Sequence, residues 1–294
     1  MKAFLAMAAL LVAASAPAPG TQGALDSAGP DDWRPLDPET TLYMDVAGGT
    51  VVMELAPLFA PATVTNIKRL VRQHYFDGLS INRVQENYVV QWGDAGGEDA
   101  AKRRPFGRAA EVITPEFERA AVGLAIAAIP GPDGFADNVG FVNGFAVARK
   151  ASRAWLTHCY AALGVGRGET ADSGNGSELY VVIGHAPRHL DRNITLAGRV
   201  IAGMEHLTSL PRGTGALGFY EKAEERVPIR RVRVGSDVPA GDRLDIEIMR
   251  TESAAFQRFV DARSHRSRDG WFLNDAGFID LCNIRVPQRP RHRP

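Results

Sequence analysis

Eight runs of five to seven residues between positions 42 and 234 carry β-branched and aromatic side chains and are separated by turn residues. That is the pattern of short strands rather than helices. The runs are LYMDV (42–46), VVMEL (51–55), SINRV (80–84), YVVQW (88–92), LTHCY (156–160), LYVVI (179–183), ITLAGRV (194–200) and RRVRV (230–234). The first two flank Gly48-Gly49, a hairpin signal. Short strands in this number leave unpaired edges unless the sheet closes on itself. The pattern therefore predicts a mainly β protein built on a closed eight-stranded antiparallel barrel. Pro61 is placed as a first helical residue, and Val64, Ile67, Leu70 and Val71 repeat at helical spacing before Gly78, predicting one amphipathic helix. That helix and a shorter one over 204–210 would cap the barrel ends.

The chain outside these strands divides by composition. Residues 1–24 begin Met1-Lys2, run through an apolar stretch over 4–14 and turn to small residues, Pro and Gly, the form of a secretory signal peptide. The apolar run is shorter than the roughly 20 residues that span a bilayer, so a soluble protein, periplasmic or secreted, is expected, without membrane insertion. Residues 25–41 are rich in Asp and Pro and read as an extended leader, with Trp33 and Leu36 available to pin it. The main domain covers 42–236. Within it, 115–153 break into Gly, Pro and aromatic residues (IPGPDGFADNVGFVNGF) over a span too long for a simple connection, which predicts an inserted flap. Residues 237–294 form an extension with a strand candidate at 244–249 and a helix candidate at 254–263. The alternating Pro, Arg and His of 287–294 suggest a disordered tail.

Lys and Arg number 34 and Asp and Glu number 34, so no net field favours nucleic acid or an anionic membrane as partner. Two cysteines are present, Cys159 and Cys282. In an exported protein they are candidates for a disulfide, the alternative being a small buried core residue and a separate thiol.

The stretch SINRVQENYVVQWGD, residues 80–94, reads as strand, turn and strand and sets Arg83 in an apolar, aromatic context. Burying a guanidinium there is costly unless its fixed fork of donors is needed. The structural alternative is an arginine tying strands together through a carboxylate such as Glu178 or Glu86. Other motifs are weaker. His185 and His189 stand four apart, but Pro187 between them argues against a helical metal pair, and only the fold could bring His158 and Cys159 to them. Gly164, Gly166 and Gly168 lack the lysine and spacing of a phosphate loop, and no Gly-x-Ser-x-Gly elbow occurs. No metal and no cofactor are expected.

Four segments, VVMELAPLFAPATVTNIKRLV, YFDGLSINRVQENYVVQWGD, NGSELYVVI and HLDRNITLAGRVIAGM, follow one another as in the cyclophilin-type peptidyl-prolyl isomerases, and the chain resembles that family over about 42–234. The resemblance implies a cyclophilin-like barrel and isomerisation of X-Pro bonds in proline-containing segments of exported proteins, assisting their folding. By position it implies that Arg83 is the catalytic arginine and Gln91 the active-site glutamine. It likewise implies that Tyr88, Val89, Tyr180 and Leu190 form the proline pocket. The sequence departs from the family pattern at Ile194, where a pocket histidine is usual, and at Glu178, where a glutamine is usual. Tyr160 takes the place of a loop asparagine and is followed by extra residues, 164–170; His189 precedes the pocket leucine as in some members. These departures keep open a second class, a cyclophilin-like binding or chaperone module with little turnover.

Overall fold

A computed structural model describes residues 18–97 and 99–291. The apolar run of the expected signal peptide lies outside the described residues. In chain order the strands are β1 (Trp33–Pro35), β2 (Thr41–Val46), β3 (Gly49–Leu55), β4 (Ser80–Val84), β5 (Val89–Gly93), β6 (Arg119–Ala120), β7 (Ala127–Ile129) and β8 (Asn138–Val142). They continue with β9 (Phe145–Lys150), β10 (Arg153–Leu156), β11 (Ala162–Val165), β12 (Leu179–Val182), β13 (Leu196–Ala202), β14 (Val227–Val234), β15 (Ile246–Met249) and β16 (Gln288–Pro290). The α-helices are α1 (Thr21–Asp26), α2 (Pro61–Arg72), α3 (Glu205–Thr208) and α4 (Ala254–Ser264). No helix among the described residues is long and apolar enough to cross a membrane.

Eight strands close an antiparallel barrel in the order β11-β12-β5-β4-β14-β2-β3-β13, with β13 pairing back to β11. The closed eight-stranded barrel is as expected, but one of its strands is not. LTHCY straddles the end of β10 and a loop, and the barrel strand is Ala162–Val165, all four residues of which are buried. The polar Thr157 and His158 leave the ladder to satisfy buried partners. Within this strand Gly164 leaves room for the Tyr180 ring.

Inside the barrel Leu42, Met44, Met53, Leu55, Ile81, Val90, Trp92, Leu163 and Val181 form a continuous core. Helix α2 starts at Pro61, whose missing N–H is no loss at a first turn, and closes one end with Val64, Ile67, Leu70 and Val71. Burying each of these side chains contributes on the order of 2 kcal/mol. The free N–H groups of Ala62 and Thr63 donate to the Glu116 carboxylate at 3.0 and 2.9 Å, so an acidic side chain caps the positive helix end.

The remaining segments build a second layer. The region expected as a flap is a five-stranded antiparallel sheet, β6-β10-β9-β8-β7. Its central hairpin turns on Asn143-Gly144, both at positive φ (50° and 87°), the requirement of a two-residue hairpin loop. A three-stranded sheet, β1-β15-β16, joins the leader to the C-terminal extension. The start of the expected disordered tail is therefore strand β16. It is held because Arg289 pairs with Glu247 at 2.8 Å and lies 4.3 Å from the centre of the Trp33 ring. Trp33, Phe141, Trp155, Ile248, Met249, Phe256, Phe259, Leu281 and Ile284 share a second apolar core. Ser253 caps α4 by accepting from the Phe256 N–H at 3.1 Å. A disulfide joins Cys159, just before β11, to Cys282 in the extension.

Candidate active site

Arg83 is presented by the β4–β5 hairpin. The register slips by one residue between Ile81 and Arg83, so that Arg83 faces Gln91 across the ladder; such a bulge re-aims the side chains beyond it. Asn82, at the slip, is buried and donates its amide to the Gly93 carbonyl at 3.0 Å. The Arg83 guanidinium donates from Nη1 to Gln91 Oε1 at 2.9 Å, from Nε to the Leu217 carbonyl at 2.7 Å, and from Nη2 to Gln85 Oε1. Its Cζ lies 5.5 Å from the centre of the Tyr88 ring and 5.4 Å from that of Phe219. Burial lowers the Arg83 pKa, opposed by Tyr88 and Glu178, yet a guanidinium stays charged at any working pH. Of the two carboxylates offered as alternative partners, Glu86 pairs with Arg212, while Glu178 acts on Arg83 through its charge. Arg83's three hydrogen bonds all end on neutral oxygens. They use three of its five N–H groups.

Val89 and Tyr180 are 3% and 4% exposed and belong to an apolar cluster between the barrel and the inserted sheet, with Phe59, Val142, Phe145, Val147 and Leu196. Tyr88 and Ile194 pack against that cluster, as do Leu124 and Ile126 of the insertion. Tyr180 faces Gln91 across the β12–β5 ladder, so strand pairing alone sets this wall beside the arginine. The Tyr180 ring crosses Gly164, where an added Cβ would meet Tyr180 Cζ at 2.1 Å. The ring's far end enters the interior. There the hydroxyl is 2.8 Å from His158 Nε2, and His158 Nδ1 is 2.9 Å from Asp191.

Burial opposes ionisation of Asp191, but hydrogen bonds from His158 and the charge of Arg188 outweigh it and hold the carboxyl below its ordinary value. An ionised carboxylate only accepts, so Nδ1 carries a proton toward Asp191, and Nε2 shares the other hydrogen bond with the Tyr180 hydroxyl. Burial, with Tyr88 and Asp191 adding to it, pushes that hydroxyl's pKa well above the usual phenol value. It stays a donor.

Of the residues expected in the site, Arg83, Gln91, Tyr88, Val89 and Tyr180 come together. Leu190 does not join them: it stands half-buried on the turn Arg188–Leu190, outside the cluster that its near neighbour Ile194 reaches. Tyr160 lies elsewhere, lining a cavity of about 780 Å³ between the barrel and the second layer with Cys159, Met204, Phe259 and Ile284. The lining of that cavity includes none of Arg83, Gln91, Tyr88, Val89 and Tyr180. Both ring nitrogens of His158 are used by Asp191 and Tyr180, and no group of three or more metal-type ligands gathers among the described residues.

Four partners of this site escaped sequence reading: Gln85, the Leu217 carbonyl, Phe219 and the role of His158. Gln85 had a local signal, since it stands two residues beyond Arg83 where a strand returns to the same face. Leu217 is brought in from 134 residues away and had none. The assembled group holds a charged hydrogen-bond donor rigidly beside an aromatic and apolar surface. Such a group can donate to a polar atom lying on that surface.

A family model described as cyclophilin type peptidyl-prolyl cis-trans isomerase/CLD matches residues 41–234. A probable peptidyl-prolyl cis-trans isomerase of Brucella suis is 26% identical over 191 residues, which span 65% of this chain and 81% of the relative. The human peptidyl-prolyl cis-trans isomerase-like 1 is 29% identical over 105 residues, 35% of this chain and 61% of that protein. Among solved structures, a cyclophilin from Hirschia baltica superposes with a TM-score of 0.69 at 22% identity, covering 92% of this chain and 95% of its own. It shares the fold, and the likeness extends beyond the barrel.

Proposed function

The chain belongs to the cyclophilin-type peptidyl-prolyl cis-trans isomerases, and from that premise we propose that Arg83 is its catalytic residue, working on X-Pro bonds of exported proteins. The peptide C–N bond resists rotation with a barrier of about 18–20 kcal/mol, while the two isomers at X-Pro differ by only about 1 kcal/mol. Exchange is slow for want of a path rather than a driving force. In the twisted amide the proline nitrogen is pyramidal and accepts a hydrogen bond that the planar amide cannot. A donor held for that atom stabilises the transition state over both ground states.

The observation that carries this reading is the way Arg83 is held. Gln91, Gln85 and the Leu217 carbonyl fix three N–H groups, which leaves one N–H on Nη1 and one on Nη2 for the substrate. In the proposed pose the proline ring rests on Tyr88, Val89 and Tyr180 while the residue before it turns. Gln91 orients the guanidinium, and no cofactor enters the step. The expected effect of Arg83→Ala is a loss of about 100-fold or more in kcat/KM on an X-Pro test peptide, with an unchanged circular dichroism spectrum. Arg83→Lys keeps the charge without the fork and is expected to recover little. Full activity in either variant would remove the arginine from the step.

Export is part of the proposal. The apolar run at 4–14 has the form of a leader, and a disulfide such as Cys159–Cys282 persists in an oxidising compartment. The expected boundary at residue 24 falls within α1, where Ala24 is fully buried and Thr21 donates from its backbone N–H to Asp269 at 2.8 Å. A mature chain that keeps this helix starts no later than Gly20. N-terminal sequencing of the protein from a periplasmic fraction tests this; an intact Met1 on cytoplasmic protein would overturn it.

A further inference from the structure

The Tyr180 hydroxyl is the visible end of a longer buried network. His158, 0% exposed, takes both of its bonds to Asp191 through one oxygen, from the backbone N–H and from Nδ1, each at 2.9 Å. The other Asp191 oxygen accepts from Arg188 Nε at 2.6 Å and from Trp155 Nε1 at 3.3 Å. Arg188 then reaches the inserted sheet, donating from Nη1 and Nη2 to the two oxygens of Asp133 at 2.9 and 3.3 Å. The Arg188 and Asp133 side chains are each 5% exposed. The Arg188 Cζ also lies 5.0 Å from the centre of the Phe135 ring. Asp133 and Phe135 come from the β7–β8 connection and Trp155 from β10, so the inserted sheet grips the network at its far end and again at Asp191.

Simple packing does not require this construction. A phenylalanine at position 180 would fill the same wall without a hydroxyl to satisfy, and a buried charged chain is costly to assemble. Each member is paired, and a fully satisfied buried network rigidifies what it holds. What it holds here is the one pocket ring whose tip enters the protein.

We propose that Asp133 and Arg188 are positioning residues for the isomerase reaction: through Asp191 and His158 they fix Tyr180, so the inserted sheet sets the affinity of the proline pocket. The inference rests on the pocket proposed above. Substrate contact stays with Arg83 and the pocket rings. Asp133 and Arg188 act on Tyr180 only through the hydroxyl link, beside the apolar packing that the inserted sheet also gives the ring, which makes their part separable from general stability.

The test is a double-mutant cycle between Asp133→Asn and Tyr180→Phe in the full chain, reading kcat, KM and the Kd of the same X-Pro peptide. Asp133→Asn is expected to raise KM and Kd about five-fold while kcat changes less than about two-fold. In the Tyr180→Phe background, where the hydroxyl link is already cut, the same substitution is expected to change KM less than about two-fold. Equal factors in the two backgrounds, or a fall in kcat with KM unmoved, would overturn the coupling. If Asp133→Asn does not fold, Arg188→Lys enters the same cycle, since it keeps the charge and loses the fork. A wild-type protein that binds the peptide without accelerating its isomerisation would overturn the reading of the pocket as catalytic, while the Kd cycle would still judge the coupling.

Discussion

The barrel and the second layer each bury an apolar core but are assembled in different ways. The barrel core comes from alternating strands of one region of the chain, and its interior is apolar from Leu42 to Val234. The second layer gathers a leader, an insertion and an extension that are far apart in sequence, and polar ties join them to the barrel. Glu54 of β3 sits between Arg34 at 2.7 Å and Arg199 at 2.9 Å. Arg34 also donates to the Asn143 carbonyl at 2.9 Å, and the Gly144 N–H donates to Thr251 Oγ1 at 3.1 Å. The candidate pocket uses both schemes. Its arginine belongs to a barrel hairpin, whereas its tyrosine is fixed from the second layer. A barrel alone would carry the donor but not the support of the ring beside it.

The sharpest way to break this comparison is to cut the covalent tie. Cys159 and Cys282 are 123 residues apart in sequence, and removing a native disulfide that closes a long loop costs about 2–4 kcal/mol. Cys282→Ser is therefore expected to lower unfolding stability by about that amount, measured in urea without reductant. Limited proteolysis of the variant should cut within 237–291 before it cuts the barrel. Barrel cleavage first, or an unchanged urea midpoint, would show that the two regions are not held separately.

A smaller effect sharpens the comparison at one glycine in each region. Gly164 in β11 lies under the Tyr180 ring, where an added Cβ would sit 2.1 Å from Cζ, whereas Gly241 in the extension has nothing within 4 Å. Overpacking of this kind costs about 1–3 kcal/mol. Gly164→Ala should lose stability on that scale and weaken peptide binding as the ring is pushed off its seat. Gly241→Ala should leave both within experimental error. Equal behaviour of the two variants would mean that the wall beside Arg83 yields easily, against its burial.

Sequence reading was most successful where a local pattern decided the structure. The hairpin signal at Gly48-Gly49, the helix opening at Pro61 and the stretch 80–94 each depend on neighbours in the chain, and Arg83, Tyr88 and Gln91 meet through one hairpin. The alternation failed at β11, because Ala162 and Gly164 carry little hydrophobic signal and the adjacent LTHCY looked more strand-like. The inserted sheet had a readable mark, Asn143-Gly144 between Val142 and Phe145, that the surrounding Gly and Pro obscured. Leu190 was assigned by resemblance alone, and the turn on which it stands is fixed by Arg188 and Asp133 rather than by the barrel. The second core was readable only in its separate parts, such as Trp33 of the leader and the helix over 254–263. Trp33, Phe141 and Phe256 become neighbours only through tertiary packing of three distant segments.

The smallest expected effect separates exposed from buried electrostatics. Asp45 on β2 pairs with Arg231 at 2.6 Å on the barrel surface. Partial burial raises its pKa, but hydrogen bonds from Thr50 and Arg231 and the nearby positive charge outweigh this and leave it lowered. Asp191 is lowered as well, by His158 and Arg188 against a larger burial. For both groups the folded pKa lies below the unfolded one, so each contributes stability in full above the ordinary carboxylate range, near pH 4. Each loses it as pH falls through its folded value. Salt distinguishes them. An exposed pair is screened within about 10 Å at 0.1 M ionic strength, while a buried one is not. Asp45→Asn is therefore expected to cost little at pH 7 in low salt and nothing in high salt. Asp191→Asn should cost the same at pH 7 in both, with a flatter loss of stability below pH 4 than the wild type. Urea unfolding at pH 7 and pH 3, in low and high salt, reads all of these together. A salt-sensitive Asp191 would mean that solvent reaches the network, and that the support of Tyr180 is a surface feature like the barrel's own ion pairs.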